Sequence, residues 1–252
     1  MFEGMTRTLA GLGAVVVFGL ATIPGGVAVA GTCPVALPQG SDPVTLDPAD
    51  FGGPIDNPYL PMAPGTRWIY RETDPSGDAL KVRVVVTSRE KQILGIDATV
   101  VHDVVTDHGE LIENTRDWYA QDACGNVWYM GENTKEYENG VVVSTAGSWE
   151  AGVNGAQPGV VMPADPQVGL SYRQEFYAGE AEDAATILSL TEQAEVPYGH
   201  FSDVILTREY TPLHPKVLEY KLYAKGVGIV LVLGVSGGSD REELVRFESP
   251  ST

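Results

Sequence analysis

The chain has 252 residues, of which 34 are acidic and 16 are lysine or arginine, and its formal net charge is −18 at pH 7. So negative a surface repels nucleic acid and anionic membranes, which excludes these two classes of partner. A chain of this length can bury a sizeable core in one large domain or two small ones.

The first 30 residues have the features of a secretory signal peptide. Arg7 precedes an apolar run from Leu9 to Ile23, and the small-x-small site Ala28-Val29-Ala30 follows it. The run is too short and too interrupted by glycine for a transmembrane helix, so we do not expect an integral membrane protein. Met1 or Met5 is the start. We expect the mature protein to be secreted or held in the cell envelope.

The two cysteines, Cys33 and Cys124, predict a disulfide bond. An even pair in an oxidising compartment is typical of a structural crosslink. It would close a loop of roughly 90 residues and stabilise the fold by about 4–5 kcal/mol in the chain-entropy model. The two residues are too far apart in sequence to indicate a redox pair, and two cysteines alone make no metal site.

Residues 31–65 are predicted to form an extended arm that lies over the body of the protein. Prolines occur at 34, 38, 43, 48, 54, 58, 61 and 64, and each lacks a backbone donor and fixes φ. Helices and central strands are therefore disfavoured here. We expect Cys33, Phe51, Tyr59 and Leu60 to hold the arm in place.

Residues 66–252 predict a single β-rich domain. From Trp68 onward, apolar and polar residues alternate, as in half-buried strands, and Asn139-Gly140 is a hairpin-turn signal. Residues 147–170 are rich in glycine and proline and predict a long loop, and Glu180–Thr186 predicts one or two helical turns. About a dozen short strands without a long amphipathic helix favour an all-β fold, as an antiparallel barrel, half-barrel or sandwich. The predicted strands are 67–71, 80–86, 97–106, 110–119, 126–130, 134–138, 141–145, 171–177, 187–196, 201–210, 217–224, 227–235 and 241–247.

Aromatic residues mark the candidate binding site. Two Trp-Tyr pairs flank a polar turn at residues 117–132, and a second cluster lies at residues 172–177. Aromatic faces bind sugars, apolar ligands and cations, while polar groups fix the orientation of a ligand. Ordinary packing of alternate aromatic residues in a sheet is the competing interpretation. The candidate ligand-binding residues are Trp68, Tyr70, Trp118, Tyr119, Trp128, Tyr129, Arg173 and Tyr177.

The candidate catalytic residues are Glu175, Asp117 and His102. Two carboxylates, for instance Glu175 and Asp117, can perform acid–base chemistry if the fold brings them together. Arg173, Glu175 and Tyr177 would share one face of a continuous strand. His102 shares a strand face with Val100 and Val104. A salt-bridged surface and a hydrogen-bonded structural histidine are the competing interpretations.

We predict no metal site and no cofactor, although the acidic, exported chain leaves calcium open as an alternative. None of its acidic loops has the calcium-loop pattern, and solvated loops explain them better than calcium sites do. The sequence Gly234-Val235-Ser236-Gly237-Gly238 matches the nucleophile-elbow motif in letters, but a strand and not a helix is predicted after it, so we expect a glycine-rich hairpin loop. The acidic stretches that could supply calcium ligands are Asp117, Asp122, Asn126 and Glu132; Asp47, Asp50, Asp56 and Asn57; and Glu180, Glu182 and Asp183.

Several motifs resemble those of an uncharacterised group of exported bacterial β-rich proteins of similar length. They are the segments at 57–61 (NPYLP), 64–68 (PGTRW), 117–122 (DWYAQD), 125–129 (GNVWY), 147–152 (GSWEAG) and 172–175 (YRQE). The segment Glu219–Val230 is also similar to the closing strands of periplasmic half-barrel proteins that hold lipid. These resemblances imply an exported β-rich fold and assign no catalytic residues.

Three functions follow from these features. The first is a secreted barrel-like protein that binds an apolar, aromatic or lipid-like small molecule. The second is an extracellular enzyme that uses acidic residues on a glycan or small molecule. The third is a structural or adhesion protein of the cell envelope. An open cavity lined by inward aromatic and polar residues would favour the first two, whereas a filled core would favour the third.

Overall fold

A computed structural model describes residues 37–73 and 77–250 of the chain. The predicted signal peptide, Cys33 and part of the turn at 74–78 lie outside the described residues, so the signal peptide and the Cys33–Cys124 disulfide remain predictions. The described part contains sixteen β-strands and one short 3₁₀ helix, Pro48–Asp50, in which the Asp47 side chain accepts a hydrogen bond from the Ala49 amide. The all-β prediction is therefore confirmed.

Most of the long strands pair with the next strand along the chain. The bounds of all sixteen are as follows. In chain order they are β1 (Arg67–Thr73), β2 (Ala79–Ile93), β3 (Ile96–Asp107), β4 (Glu110–Gln121), β5 (Val127–Asn133), β6 (Glu136–Glu138), β7 (Val141–Ser144), β8 (Trp149–Glu150), β9 (Gln157–Met162), β10 (Ser171–Arg173), β11 (Glu175–Phe176), β12 (Ala184–Val196), β13 (Gly199–Tyr210), β14 (Leu218–Ala224), β15 (Gly228–Ser236) and β16 (Arg241–Glu248).

All sixteen strands belong to one antiparallel sheet. Its hydrogen-bonded order is β10-β12-β13-β14-β15-β16-β1-β2-β3-β4-β5-β9-β11, with β6, β7 and β8 attached beside β4 and β5. The two ends of this order, β10 and β11, are consecutive in the chain and are separated only by Gln174. This order of strands does not close on itself. Of the three predicted architectures, the closed barrel is therefore excluded, and the half-barrel and the sandwich remain.

Side-chain alternation gives the sheet an inner and an outer face. On β3, Val101 and Asp103 point inward, whereas Val100 and His102 point to the opposite side. Successive side chains of a strand project to opposite faces, so the register of each hairpin fixes which residues meet inside. β3 pairs with β4 so that Val101 lies opposite Asp117, and this register brings an acidic residue to the inner face.

The hairpin predicted at Asn139-Gly140 is present between β6 and β7. Both residues have positive φ, 51° and 76°, as a two-residue turn of the primed type requires. Asparagine tolerates this conformation and glycine adopts it without a steric penalty, which explains why this pair gives a strong sequence signal.

The prediction of a long loop at 147–170 is wrong, because β8 and β9 lie within it. β9 pairs with β5 on one side and β11 on the other, and Val160 and Met162 are fully buried. Gly159 has a packing role, since a Cβ atom there would collide with the backbone of Gln174. Glycine, which indicated a loop, is therefore needed here for a close approach of two chain segments.

The predicted helical turns at 180–186 and the continuous strand at 171–177 are also wrong. The backbone turns back at 177–181, where Tyr177 and Ala181 form a bridge, and β12 begins at Ala184. Pairing of β12 with β10 and β13 overrides the local helical preference. The predicted strand at 171–177 is interrupted at Gln174. Arg173 lies on β10, which pairs with β12, whereas Glu175 lies on β11, which pairs with β9, so the two residues are not on one continuous strand face.

The described part of the arm packs along the sheet and is anchored by Arg173. The Arg173 guanidinium donates hydrogen bonds to the carbonyls of Gly40 and Asp42, at 2.9 and 2.7 Å, and to that of Pro158 at 2.8 Å. Arg173 is buried, with 2% of its surface exposed. Its role in the structure is therefore to join the arm to β9.

We expect Arg173→Ala to lower the free energy of unfolding by about 2–4 kcal/mol, because the carbonyls of Gly40, Asp42 and Pro158, the last of them buried, lose their donor. Urea denaturation followed by circular dichroism measures this change. Arg208→Ala is the matched control, since Arg208 is exposed and lies over the Tyr210 ring, and it should change stability by about 0.5 kcal/mol or less. Equal effects of the two substitutions would contradict the anchoring role.

Candidate ligand-binding cavity

The curved sheet encloses a cavity of about 410 Å³, here called the first cavity. Residues of β1 to β4, of β9 and of β14 to β16 all line it, so strands far apart in the sheet order face one another across it. Leu60 and Met62 of the arm are buried and also line it. The arm therefore forms part of the cavity wall.

Aromatic and aliphatic residues form one part of this wall. The Trp68 indole donates to the Val227 carbonyl at 2.7 Å, and the Tyr70 hydroxyl donates to the Ile229 carbonyl at 3.0 Å. Because the polar atoms of both side chains are engaged by backbone, their rings are held in fixed orientations. Tyr119, also in the wall, stacks on Tyr129 with ring centroids 4.9 Å apart.

Acidic residues form the other part of the wall. Among the described residues that line the cavity, Lys221 is the only cation, and it is paired with Glu209 at 2.7 Å. Burial alone would lower the pKa of Lys221, but Glu209 and Glu219 outweigh this effect and raise it. The acidic residues that line the cavity are Glu72, Asp103, Asp117, Glu219, Asp240 and Glu242.

Burial raises the pKa of several of these carboxyl groups, because a low-dielectric surrounding disfavours the charged form. It raises the pKa of Asp117 to about 7, against a hydrogen bond from Tyr129 that favours ionisation. Burial, reinforced by Glu72, also raises the pKa of Glu242 to about 7. The pKa of Asp103 lies well above its ordinary value through burial and the nearby Asp117.

Asp103 has a further property that its neighbours in the cavity do not share. Its Oδ1 atom is buried and has no hydrogen-bond partner among the described residues. Buried polar atoms in folded proteins nearly always have a partner, so an unsatisfied carboxylate oxygen at a cavity wall needs an explanation.

A chain of hydrogen bonds leads out of the first cavity through Tyr129. The Tyr129 hydroxyl lies 2.7 Å from Asp117 Oδ1 and 3.1 Å from Glu132 Oε2. A hydroxyl has one proton and can donate to only one of two carboxylates, so one of the two carboxyl groups has to carry a proton to complete both bonds. Burial and the nearby Asp117 raise the pKa of Glu132 to about 8.

A second cavity, of about 900 Å³, lies against the opposite side of β3 and β4 and is lined in part by Glu132. The Lys91 ammonium lies 3.5 Å from the centroid of the Trp118 ring and 2.6 Å from the Glu150 carboxylate. His102 Nε2 is 3.0 Å from Asn114 Oδ1. This cavity contains charges of both signs.

The structure divides the eight predicted ligand-binding residues among different environments. Trp68, Tyr70 and Tyr119 line the first cavity, and Trp118 and Tyr177 line the second. Tyr129 packs between Tyr119 and Trp149. Trp128 and Arg173 line neither cavity, and the Trp128 indole donates to Asp122 at 2.8 Å.

The three predicted catalytic residues do not meet. Asp117 lines the first cavity and His102 the second, while Glu175 accepts a hydrogen bond from the Trp149 indole at 2.7 Å. Sequence reasoning missed Asp103, Glu242 and Lys221. Asp103 could have been found, because it occupies the strand face opposite His102.

The alternative calcium stretches and the serine motif have other roles where the structure describes them. The Asp122 carboxylate accepts from the amides of Cys124 and Asn126, from the Asn126 side chain and from Trp128, and so organises a turn. Within residues 37–73 and 77–250, no three histidine, cysteine or acidic residues are placed to hold a metal ion. Ser236 ends β15, and its hydroxyl donates to the Lys216 carbonyl.

Comparisons with known proteins give only distant similarities. No family model and no curated protein sequence matches the chain. One similar solved structure is a protein from Bacteroides fragilis described as exported and as having a YmcC-like fold, with 14% identity, a TM-score of 0.41, and coverage of 76% of this chain and 99% of that one. Another is a protein from Parabacteroides distasonis described as a lipoprotein, with 13% identity, a TM-score of 0.41, and coverage of 75% and 98%. At these scores neither similarity bears on the function of this chain.

No helix within the described residues has the length and hydropathy needed to cross a membrane.

We expect stability to fall as the pH rises from about 4 to about 8. Asp117, Glu132 and Glu242 have pKa values of about 7, 8 and 7 in the folded protein, above their ordinary values. The folded state therefore binds more protons than the unfolded state in this interval, and the free energy of unfolding decreases with pH by several kcal/mol in total. Thermal melts at pH 5 and pH 8 measure the difference.

Asp117→Asn should make the melting temperature less dependent on pH, because it removes one of these groups. Glu138→Gln is the control, since Glu138 is exposed at the end of β6. A higher melting temperature at pH 8 than at pH 5 would contradict the raised pKa values.

Proposed function

We propose that the protein is an extracytoplasmic binding protein for a small organic molecule held in the first cavity. The observation that supports this proposal is a half-open cavity of about 410 Å³ where a filled core would otherwise lie. This volume falls within the range of roughly 300–1,000 Å³ that small-molecule sites occupy. Placement outside the cytoplasm follows from the predicted signal peptide.

The composition of the wall supports binding of a molecule with an apolar or aromatic body. Trp68 and Tyr70 present rings whose polar atoms are already bonded to backbone, so desolvating these rings costs little. Rigid aromatic side chains lose little conformational entropy when a ligand binds. The carboxyl groups opposite would fix the orientation of the ligand.

We expect Val84→Trp to prevent binding, because Val84 lines the first cavity and an indole there would project into the space that the ligand occupies. Val85→Trp is a matched control, since Val85 is the next residue of β2 and points to the opposite side. Native mass spectrometry of wild-type and variant proteins purified from the natural source measures the co-purified small molecule.

The wild type and Val85→Trp should retain a bound species of defined mass that is absent from Val84→Trp. Circular dichroism establishes that all three proteins are folded. The proposal fails if the wild type carries no bound molecule and its tryptophan fluorescence does not respond to lipids or small aromatic compounds.

A second candidate function, an acid–base enzyme acting on a glycan or small molecule, is favoured by the Asp117–Tyr129–Glu132 arrangement. Asp117 lines the first cavity and has a pKa of about 7, so it could donate a proton near neutral pH. Tyr129 would position it and connect it to Glu132.

If this second function holds, Asp117→Asn should lower turnover at least 100-fold, since general acid catalysis contributes about 10²–10⁴-fold. Chromogenic glycosides and esters provide the assay, and activity should decrease above about pH 7 as Asp117 ionises. Glu175→Gln is the control, because Glu175 lines neither cavity. Absence of turnover across the substrate panel would leave binding as the function.

A further inference from the structure

The charge balance of the first cavity is unusual even for an acidic protein. Its described lining includes six acidic residues and a single cation, Lys221. Lys221 is already matched by Glu209, which lies 2.7 Å away and also accepts a hydrogen bond from Tyr223 at 3.0 Å. Lys221 also acts on Glu219 and Glu242, but its single positive charge cannot balance six carboxyl groups.

Asp103 supplies an observation that does not depend on counting charges. Its buried Oδ1 atom has no hydrogen-bond partner among the described residues, although it lies in a wall where Asp117 and Glu242 are close enough to influence its ionisation. A buried acceptor without a partner destabilises the folded protein, and it does so more strongly when it carries a charge. A donor that enters the cavity would remove this destabilisation.

The distribution of the carboxyl groups distinguishes an organic cation from a metal ion. Asp103 and Asp117 lie on β3 and β4, and Glu219 and Glu242 lie on β14 and β16, so the acids are spread around the wall. Calcium needs six to eight oxygens that converge at about 2.3–2.6 Å. Within the described chain no such group of ligands converges. A cation with an extended body fits this arrangement better.

The aromatic wall favours the same class of ligand. Trp68, Tyr70 and Tyr119 line the cavity together with the acids, and the face of an aromatic ring attracts an ammonium or guanidinium ion. The same rings provide a contact surface for an apolar body. One ligand can therefore satisfy both parts of the wall.

We propose that the first cavity selects an organic cation, an ammonium or guanidinium group on an apolar body, and that Asp103 is its principal charge partner. This inference rests on the binding function proposed above and specifies its ligand class. The cation would donate a hydrogen bond to Asp103 Oδ1, while the apolar body lies along Trp68 and Tyr70.

The experiment compares probes that share one body and differ in charge. Isothermal titration calorimetry at pH 7.5 measures binding of 2-phenylethylamine, 2-phenylethanol and 3-phenylpropanoate, and of octylamine, octanol and octanoate, to the full mature protein. We expect at least one amine to bind 10-fold or more tightly than its alcohol, and the carboxylates not to bind.

Asp103→Asn should reduce the preference for the amine about 10-fold or more, while the affinity for the alcohol changes little. Asp97→Asn is the matched control, since Asp97 lies on the same strand but is exposed and does not line the cavity. It should preserve the preference of the wild type. If Asp103→Asn does not fold, the wild-type preference among the probes decides the question alone.

The outcomes separate the two proposals. Binding of an alcohol or carboxylate as tightly as the matching amine would overturn the cation site and leave the binding function in place. Failure of every probe to bind the wild type, with no co-purified molecule, would overturn both. A preference for the amine that Asp103→Asn does not reduce would overturn the role of Asp103.

Discussion

Burial of carboxyl groups inside a curved antiparallel sheet is the constraint on which the rest of this structure depends. Hairpin register fixes which side of each strand faces inward, and on β3, β4, β14 and β16 the inward positions include acids. Carboxylates in such a place raise the free energy of the folded protein unless protons, a lysine or a ligand compensate for their charge. Lys221 and Glu209 compensate each other in an ion pair, whereas Asp103 keeps one buried oxygen without a hydrogen-bond partner among the described residues.

The arm gives this polar interior its enclosure. It contributes Leu60 and Met62 to the cavity wall, and Asn57 donates from its side chain to the carbonyls of Gly125 and Pro163. Arg173 fixes the preceding part of the arm through backbone carbonyls. A segment rich in proline suits this function, because it loses little chain entropy on ordering and has few amide donors left to satisfy.

Sequence patterns predicted the fold better than they predicted the site. Alternation identified most strands, and Asn139-Gly140 identified a hairpin, since both signals are local. β9 is not predicted from the sequence, because Gly159 indicates a loop. In the structure, Gly159 instead permits close packing against Gln174. Local patterns do not show which strands face each other across the cavity. The proximity of Asp103 to Glu242 could be predicted only from the register of several hairpins, which the sequence does not give. For the same reason, the sequence does not show that Asp117 lines the first cavity whereas Glu175 lines neither cavity.

Tyr129 links a carboxyl group of the first cavity to a carboxyl group of the second cavity. Its hydroxyl is hydrogen-bonded to both Asp117 and Glu132, and these two carboxyl groups line different cavities. Groups that interact in this way titrate as a pair, so their protonation steps are shared and not individual. Neutralising Asp117 in one compartment consequently changes how firmly Glu132 holds its proton in the other, and the two sides of the sheet are in electrostatic communication.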